Sequence, residues 1–265
     1  MSTQKNSNAK TAITALVLCL VCSVMVSAVA VGLKPKQLEN QALDRNKNIL
    51  IAADLATPAT SADQVAQTFQ DFDVKIINLE TGKFVSDDVL AKEGIDIASY
   101  DAAAAAKDPH LGIALNDDPA GIGALPKYAK VYIKTDSSGA PELVVLPVHG
   151  YGLWGTIYGF LTLENDFNTI RGISFYSHKE TPGLGALIEE PKWRAQWQGK
   201  HAYDDERQEV VTGVVKAGVP KPTPHYVDGI SGATLTSRGV NNFIRFWLSD
   251  VGYKPFLDNL KQGAA

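Results

Sequence analysis

The chain begins with one long apolar run that differs from everything after it. No charged residue lies between Lys10 and Lys34, and the run covers residues 11–33. At about 1.5 Å of rise per residue, a helix of this length crosses a hydrocarbon core of roughly 30 Å. The pattern therefore predicts a transmembrane helix at 11–33, preceded by a short N-terminal tail at 1–10.

A cleaved secretory signal is the alternative for the same run. Lys5 and Lys10 form a basic start, and Ala28-Val29-Ala30 fits a small-x-small cleavage site. The run is longer than the roughly 7 to 15 residues of a signal h-region, which favours a retained anchor. Both alternatives send the rest of the chain across the membrane. Four basic residues follow the run, Lys34, Lys36, Arg45 and Lys47, and they outnumber those before it, but large domains are translocated largely regardless of such counts.

Beyond the apolar run, the pattern predicts a juxtamembrane helix and the approach to a domain at 34–60, then a single folded domain at 61–265. A helix is expected at 61–69, capped by Ser61 or Asp63. The acidic stretch 87–118 is interpreted as exposed surface. Runs of β-branched and aromatic residues predict strands at 74–79, 130–134, 142–148, 156–163, 170–176 and 210–215. Short strands joined by turns, with helices packed on them, predict an α+β fold with a mainly antiparallel sheet.

The last long helix is predicted near the C-terminus, where apolar residues recur every three or four positions. Small and hydroxylated residues from Ser231 to Ser237 precede it. The first turn of a helix has N–H groups without intrahelical partners, and together with the helix dipole they suit a phosphate. The local alternative is that these hydroxyls only cap the helix. The apolar face consists of Val240, Phe243, Ile244, Trp247, Leu248 and Val251.

Three hydroxyl side chains at the start of this helix are expected to lie in different places. Thr236 precedes Val240 by four residues and Ser237 precedes it by three, so both fall on the buried face. Thr234 lies at or before the first turn, where its side chain projects toward solvent. Thr234 is therefore the hydroxyl placed to hold a phosphate, or to carry one covalently.

Net charge and cysteine content exclude some classes of partner and site. A formal net charge of −4 and a pI near 5.7 argue against nucleic acid as a partner. Cys19 and Cys22 are the only cysteines, and both lie inside the apolar run without a nearby histidine, so neither a metal site nor a thiol centre is predicted. Any electron chemistry in the domain must then come from a bound cofactor.

Two glycine-rich segments precede the helix. Gly150 to Gly155 satisfies G-x-G-x-x-G, but a strand is expected next at 156–163, whereas a dinucleotide-binding fold requires a helix there. Its glycines are interpreted as allowing a strand to bend or a flat ring to approach the backbone. Glu180 to Gly185, Glu-Thr-Pro-Gly-Leu-Gly, is a tight turn. Trp193 and Trp197 are expected in the core, with stacking on a flat ligand ring as the alternative.

Asp228 to Thr234, Asp-Gly-Ile-Ser-Gly-Ala-Thr, resembles the flavinylation motif of the FMN-binding domain family, in which a threonine forms a phosphoester with FMN. The resemblance implies FMN bound covalently to Thr234, within a flavin site at 150–255. The Glu180 to Gly185 loop resembles the second signature of this family. This resemblance implies that the loop helps to enclose the flavin. No catalytic residue separate from the flavin is expected. The other implied cofactor-binding residues are Ser231, Gly232, Ala233, Leu235, Thr236, Glu180, Thr181, Gly183, Leu184, Gly185, Lys200 and Trp154.

Over nearly its whole length the chain resembles the C subunits of bacterial Na⁺-translocating NADH:quinone oxidoreductases. This resemblance implies a membrane-anchored electron carrier in a Na⁺-pumping complex of six subunits in the inner membrane, with a periplasmic domain. It also implies a flavin transferase that uses FAD and magnesium. The alternatives are the G subunit of the related Rnf electron-transport complex, a sensor or scaffold ectodomain without flavin, and a hydrolase. The hydrolase lacks support because no His-Asp pairing or G-x-S-x-G elbow accompanies the site.

Overall fold

The computed structural model describes residues 2–218 and 224–265, with side chains from residue 8 onward. The chain divides into two compact units, Met1–Asp44 and Arg45–Ala265. Helix α1 runs from Ser2 to Ala52 with Pro35 inside it. The predicted tail is thus helical from Ser2, and the juxtamembrane helix is continuous with the apolar one. The helix continues through Pro35, although proline removes one backbone N–H donor there.

The apolar part of α1 is long enough to cross a membrane. Within Asn8–Ala52, an 18-residue window has a mean hydropathy of 2.7 and none of it is buried inside the protein. An exposed apolar surface of this extent is unfavourable in water, because burying it would release on the order of 25 cal/mol per Å². This is the one helix in the described residues that meets the length and composition of a membrane span.

The second unit contains helices and three sheets, of six, two and two strands, among the residues that the structure describes. Its helices are α2 (Ala62–Phe69), α3 (Asp87–Glu93), α4 (Ala102–Ala105), α5 (Pro191–Arg194), α6 (Thr234–Leu248) and α7 (Lys254–Gln262), with 3-10 helices at Gly185–Glu189 and Ala195–Trp197. Its strands are β1 (Phe72–Asn78), β2 (Lys83–Phe84), β3 (Gly112–Ala114), β4 (Ala124–Pro126), β5 (Tyr128–Thr135), β6 (Pro141–Tyr151), β7 (Thr156–Glu164), β8 (Ile170–Ser177), β9 (Gly213–Val215) and β10 (Tyr226–Asp228). Strand β3 pairs with β4, and β9 pairs with β10.

Six strands form the main sheet in the order β2-β1-β5-β6-β7-β8, and every neighbouring pair is antiparallel. The predicted α+β fold with a mainly antiparallel sheet is confirmed. The strand predicted at 210–215 is shorter than expected, since only Gly213–Val215 is extended, and it pairs in parallel with β10 outside the main sheet. Val210 forms an isolated bridge with Tyr203 instead.

Both faces of the main sheet are covered. On one face, Leu146 and Leu161 belong to the same core cluster as Phe243 of α6. On the other face, the ring of Phe69 in α2 lies 6.1 Å from that of Tyr132. The Ser174 hydroxyl on this face donates to the Asn48 carbonyl of α1 at 2.8 Å. Burial on both sides explains why β5 and β6 are apolar at consecutive positions instead of alternating.

Helix α2 begins with a capping box. The Ser61 side chain accepts a hydrogen bond from the Gln64 N–H, and the Gln64 side chain accepts one from the Ser61 N–H. Two backbone donors that would otherwise lack partners are satisfied together. Of the two caps predicted, Ser61 is the correct one, and Asp63 lies in the first turn.

The stretch 87–118 contains more secondary structure and more buried residues than predicted. It contains α3, α4 and β3, and Leu90 is buried against Ile76 and Tyr128 in a small second cluster. The Tyr100 hydroxyl donates to the Tyr128 carbonyl at 2.7 Å. The interpretation as exposed surface was therefore wrong for Leu90 and for Ala105, which is 6% exposed. Isolated apolar residues in an acidic segment gave no periodic signal, so their burial depends on tertiary contacts.

Candidate functional site

The N-terminus of α6 has an uncapped first turn. Thr234 is its first residue, and Ala233 at the N-cap position makes no side-chain cap hydrogen bond. The first amide that bonds back is that of Ser237, which donates to the Ala233 carbonyl at 3.0 Å. The amides of residues 234–236 thus lack intrahelical partners. The alternative in which hydroxyls merely cap this helix is contradicted, because the residue at the cap position is an alanine.

The hydroxyls around this turn separate as expected. Thr236 and Ser237 are buried, whereas Thr234 and Ser231 are exposed. Ser237 Oγ accepts a hydrogen bond from the Ile230 N–H at 2.9 Å. Thr234 Oγ1 makes no hydrogen bond with any residue that the structure describes. Thr234 is therefore available for chemistry, while Thr236 and Ser237 are engaged inside the fold.

Close packing holds the start of α6 against the end of β6. A Cβ atom on Gly239 would lie 2.4 Å from the Tyr151 carbonyl oxygen, and one on Gly150 would lie 2.3 Å from Phe243 Cβ. Only glycine fits at either position, because real Cβ atoms do not approach this closely. The segment from Gly150 to Gly155 leads into strand β7, so a dinucleotide-binding turn is excluded, as the sequence predicted. Gly150 serves helix packing.

The Glu180 carboxylate lies at the centre of the site. It is 4% exposed. Its Oε1 accepts hydrogen bonds from the Leu153 N–H at 2.9 Å and the Trp154 N–H at 3.0 Å. Its Oε2 accepts the Thr236 hydroxyl at 2.5 Å. Glu180 thus joins its own loop to the turn after β6 and to the first turn of α6.

Three exposed apolar side chains lie on the three segments that Glu180 joins. Trp154, Leu184 and Leu235 are 61%, 45% and 50% exposed, respectively. The Trp154 indole donates to Thr181 Oγ1 at 3.1 Å, which fixes the ring beside the loop. Gly232 at φ +81° turns the chain, and its Cβ position lies 3.4 Å from Leu184. Exposed side chains of this size are typical of a surface that contacts an apolar ligand.

These features fit FMN. The free amides and the positive end of the α6 dipole match a phosphate, and the apolar side chains match a flat ring. Leu153, for which the sequence led to no prediction, belongs to this surface because it stands beside Trp154 in the same turn and is 36% exposed. The feature of the sequence that could have indicated Leu153 is a large apolar residue in a glycine-rich turn.

Lys200 is not brought to the site. The Ile170 N–H donates to the Lys200 carbonyl at 2.8 Å, at the start of β8, whereas Glu180 follows the end of β8 at Ser177. At about 3.3 Å per residue, an eight-residue strand separates these ends by roughly 25 Å. The implied cofactor contact of Lys200 is therefore corrected, because sequence order did not reveal the end of β8 to which it packs.

The two tryptophans near Lys200 belong to the core. Trp193 and Trp197 are 6% and 0% exposed, and the Trp193 indole donates to the Asp228 carbonyl at 2.8 Å. The alternative in which they stack on a flavin is excluded by this burial. Trp193 instead supports the backbone at Asp228, which leads into the loop before α6.

His149 lies behind the site among aromatic rings. Its ring stacks on Tyr158 with centroids 5.5 Å apart and lies 5.1 Å from Trp247. Burial lowers the pKa of His149 to about 4, despite the opposing negative charges of Asp101 and Asp118. The half-buried, neutral imidazole is thus a packing group between Tyr158 and Trp247.

Comparison with known proteins agrees with this geometry. A family model described as "FMN-binding domain" matches residues 152–249. The chain is 42% identical to the C subunit of the Na(+)-translocating NADH-quinone reductase of Yersinia pestis, over 98% of this chain and 95% of that relative. It is 43% identical to the protein of the same name from Pseudomonas aeruginosa, over 98% and 99%. The chain belongs to this C-subunit family.

Two solved structures from the same family are also similar. The crystal structure of Shewanella oneidensis NqrC matches with a TM-score of 0.74 and 35% identity, over 84% of this chain and 99% of that one. The C-subunit structure from Parabacteroides distasonis matches with a TM-score of 0.66 and 28% identity, over 85% and 96%. The segment that matches the FMN-binding domain begins at Gly152 and ends just after α6, so it contains every contact of Glu180 and Thr236 described above.

Proposed function

We propose that Thr234 carries FMN through a phosphoester bond, and that the chain is a membrane-anchored electron carrier of a Na⁺-translocating NADH:quinone oxidoreductase. The observation that carries the proposal is the exposed Thr234 hydroxyl, without a hydrogen-bond partner in the described residues, at an uncapped helix N-terminus. It lies inside the segment that matches the FMN-binding domain. Membership of the C-subunit family supports this role over that of the G subunit of the Rnf complex.

The attachment step uses FAD as the donor and a separate flavin transferase with magnesium. Thr234 Oγ1 forms a bond to the FMN-side phosphorus of FAD, the bond between the two phosphates breaks, and AMP leaves. The hydroxyl proton passes to a base of the transferase. The exposure of Thr234 gives a second protein access to it, whereas buried Thr236 offers no such access.

After attachment, residues of this chain bind and orient the cofactor. The amides at the start of α6 donate to the phosphate, and the helix dipole stabilises its charge. Leu184, Leu235 and Trp154 contact the ring through their exposed apolar surfaces. Bound FMN supplies reversible acceptance and donation of electrons, so the protein's own contribution is to fix the ring and tune its environment.

We further propose that residues 11–33 span the inner membrane and that the domain is periplasmic, beside the other members of a complex of six subunits. The unburied apolar window of α1 supports the span. Covalent attachment suits this compartment, because a dissociated flavin would be lost by dilution. Protease added to spheroplasts should degrade the domain, and protease added to inside-out vesicles should not; the reverse pattern would contradict this orientation.

In-gel fluorescence tests the covalent bond. The full-length chain is expressed in membranes together with a flavin transferase, separated by denaturing electrophoresis and viewed under ultraviolet light. The wild-type band should fluoresce, and Thr234→Ala should be dark. Ser137→Ala is the control, because Ser137 is an exposed hydroxyl in the turn between β5 and β6, outside the motif, and its loss should leave the band bright.

Two outcomes would overturn the proposal: a bright Thr234→Ala band, or a dark wild-type band in the presence of active transferase. The second outcome is also what a sensor or scaffold ectodomain without a chromophore would give. The assay therefore separates the electron carrier from that alternative in a single gel.

A further inference from the structure

We propose that Glu180 is a positioning residue, which holds the turn after β6 against the first turn of α6. It thereby fixes the position of Thr234 relative to the exposed apolar side chains of Leu153 and Trp154. It acts through Thr236 and two backbone amides, without touching the cofactor. This inference rests on the proposed attachment of FMN to Thr234. It assigns to Glu180 and Thr236 a role different from the direct cofactor contact that the sequence implied.

The carboxylate is fully used inside the protein. Oε1 accepts the Leu153 and Trp154 amides, and Oε2 accepts the Thr236 hydroxyl. Among the residues that the structure describes, no basic side chain forms an ion pair with Glu180. A carboxylate that is 4% exposed therefore depends on these three donors for stabilisation. Loss of one donor directly weakens the link between the two turns.

Two glycines make the space for this carboxylate. A Cβ on Gly152 would lie 2.6 Å from Glu180 Oε1. A Cβ on Gly185 would lie 2.7 Å from Glu180 Oε2 and 2.6 Å from Thr236 Oγ1. These distances are too short for a real Cβ contact. The absence of a side chain at each glycine therefore leaves the space that the carboxylate fills. These two glycines accommodate Glu180, in place of the flavin ring that the sequence suggested.

The residues that hydrogen-bond to Glu180 are close in sequence to residues of the proposed cofactor site. Thr236 is two residues from Thr234 in the same helical turn, and Trp154 presents its exposed ring on the other side of the carboxylate. The Glu180 N–H also donates to His178 Nδ1 at 3.1 Å, which orients the loop backbone. Without the Thr236 hydroxyl, the α6 turn and the Leu153–Trp154 turn lose their connection through Glu180.

Thr236→Val and Thr236→Ser form the matched test pair. Valine keeps the branched shape of threonine but has no hydroxyl, and serine keeps the hydroxyl. The full-length variants are expressed without transferase, checked for folding by circular dichroism, and then incubated with transferase, FAD and Mg²⁺. Two quantities are measured: the rate at which in-gel fluorescence increases during the incubation, and the absorption spectrum of the attached flavin.

We expect Thr236→Val to incorporate flavin about tenfold more slowly, because a hydrogen bond to a buried charged group is lost. Its attached flavin should show a shifted spectrum. Thr236→Ser should match wild type in both. Glu180→Gln should retain most of the rate, since its amide oxygen still accepts both backbone N–H groups and its NH₂ group donates to Thr236. A role in folding alone would not shift the spectrum of folded protein.

A folded Thr236→Val variant with the wild-type rate and spectrum would overturn the inference. Should that variant not fold, Gly152→Ala replaces it, since its Cβ intrudes on Oε1 from a partly exposed turn, and the same slowing is expected; a wild-type rate would again overturn it. A dark Thr234→Ala band together with wild-type behaviour of Thr236→Val refutes only the positioning role of Glu180. A bright Thr234→Ala band refutes the attachment itself.

Discussion

Replacing Gly239 with alanine tests how closely α6 must approach the end of β6. The new Cβ would lie 2.4 Å from the Tyr151 carbonyl oxygen and 2.9 Å from Gly152 Cα. Both are backbone atoms, so neither can rotate away as the end of a flexible side chain would. The helix must therefore move outward, or the turn that carries Leu153 and Trp154 must shift with it.

Two opposing effects determine the result of Gly239→Ala. Alanine favours a helix interior over glycine by about 1 kcal/mol. Overpacking a well-packed contact typically costs about 1–3 kcal/mol, and the absence of a movable side chain at Gly239 places this case at the upper end. We expect a net loss of about 2 kcal/mol in the free energy of unfolding, which lowers Tm by roughly 4–8 °C in a chain of this size.

Thermal unfolding of the full-length chain in detergent, followed by circular dichroism, measures this loss. Arg238→Ala is the matched control, because Arg238 is the exposed neighbour on the same helix and its replacement should change the stability by less than about 0.5 kcal/mol. The rate of flavin attachment should fall in Gly239→Ala and stay normal in Arg238→Ala. If Gly239→Ala melts at or above the wild-type temperature, helix propensity dominates and the reasoning from close packing is refuted.

Two further predictions concern His149 and Leu184. The folded chain keeps His149 neutral down to about pH 4, whereas an unfolded chain protonates it near pH 6.5, so stability should decrease by up to about 3 kcal/mol as the pH falls across this window. His149→Phe should reduce that slope in denaturant titrations at several pH values, and equal slopes would contradict the assignment. Leu184→Ala should keep in-gel fluorescence but shift the flavin absorption spectrum, because Leu184 is exposed and lies against Gly232 in the loop before Thr234; an unchanged spectrum would argue against ring contact.

The sequence alone was sufficient for the features that depend on local pattern. The apolar run at 11–33 is continuous and has no period, whereas the buried face of α6 follows from the 3.6-residue period of a helix. The exception on that face is Val251, because α6 ends at Leu248 and Val251 is 49% exposed. Most strands of the main sheet follow from runs of β-branched and aromatic residues. The burial of Thr236 and the exposure of Thr234 followed from the same helical spacing. The resemblance on Asp228 to Thr234 then added the cofactor, and family membership agrees with it.

Tertiary structure alone decided which distant residues meet. Glu180 and Thr236 are 56 positions apart, and no pattern in either segment shows that they share a hydrogen bond. Lys200 lies in a plausible position along the chain, yet it packs at the wrong end of β8. The physical reason is that periodicity specifies which face of an element is buried, whereas the partner of that face depends on strand order and on close approaches such as those at Gly152, Gly185 and Gly239.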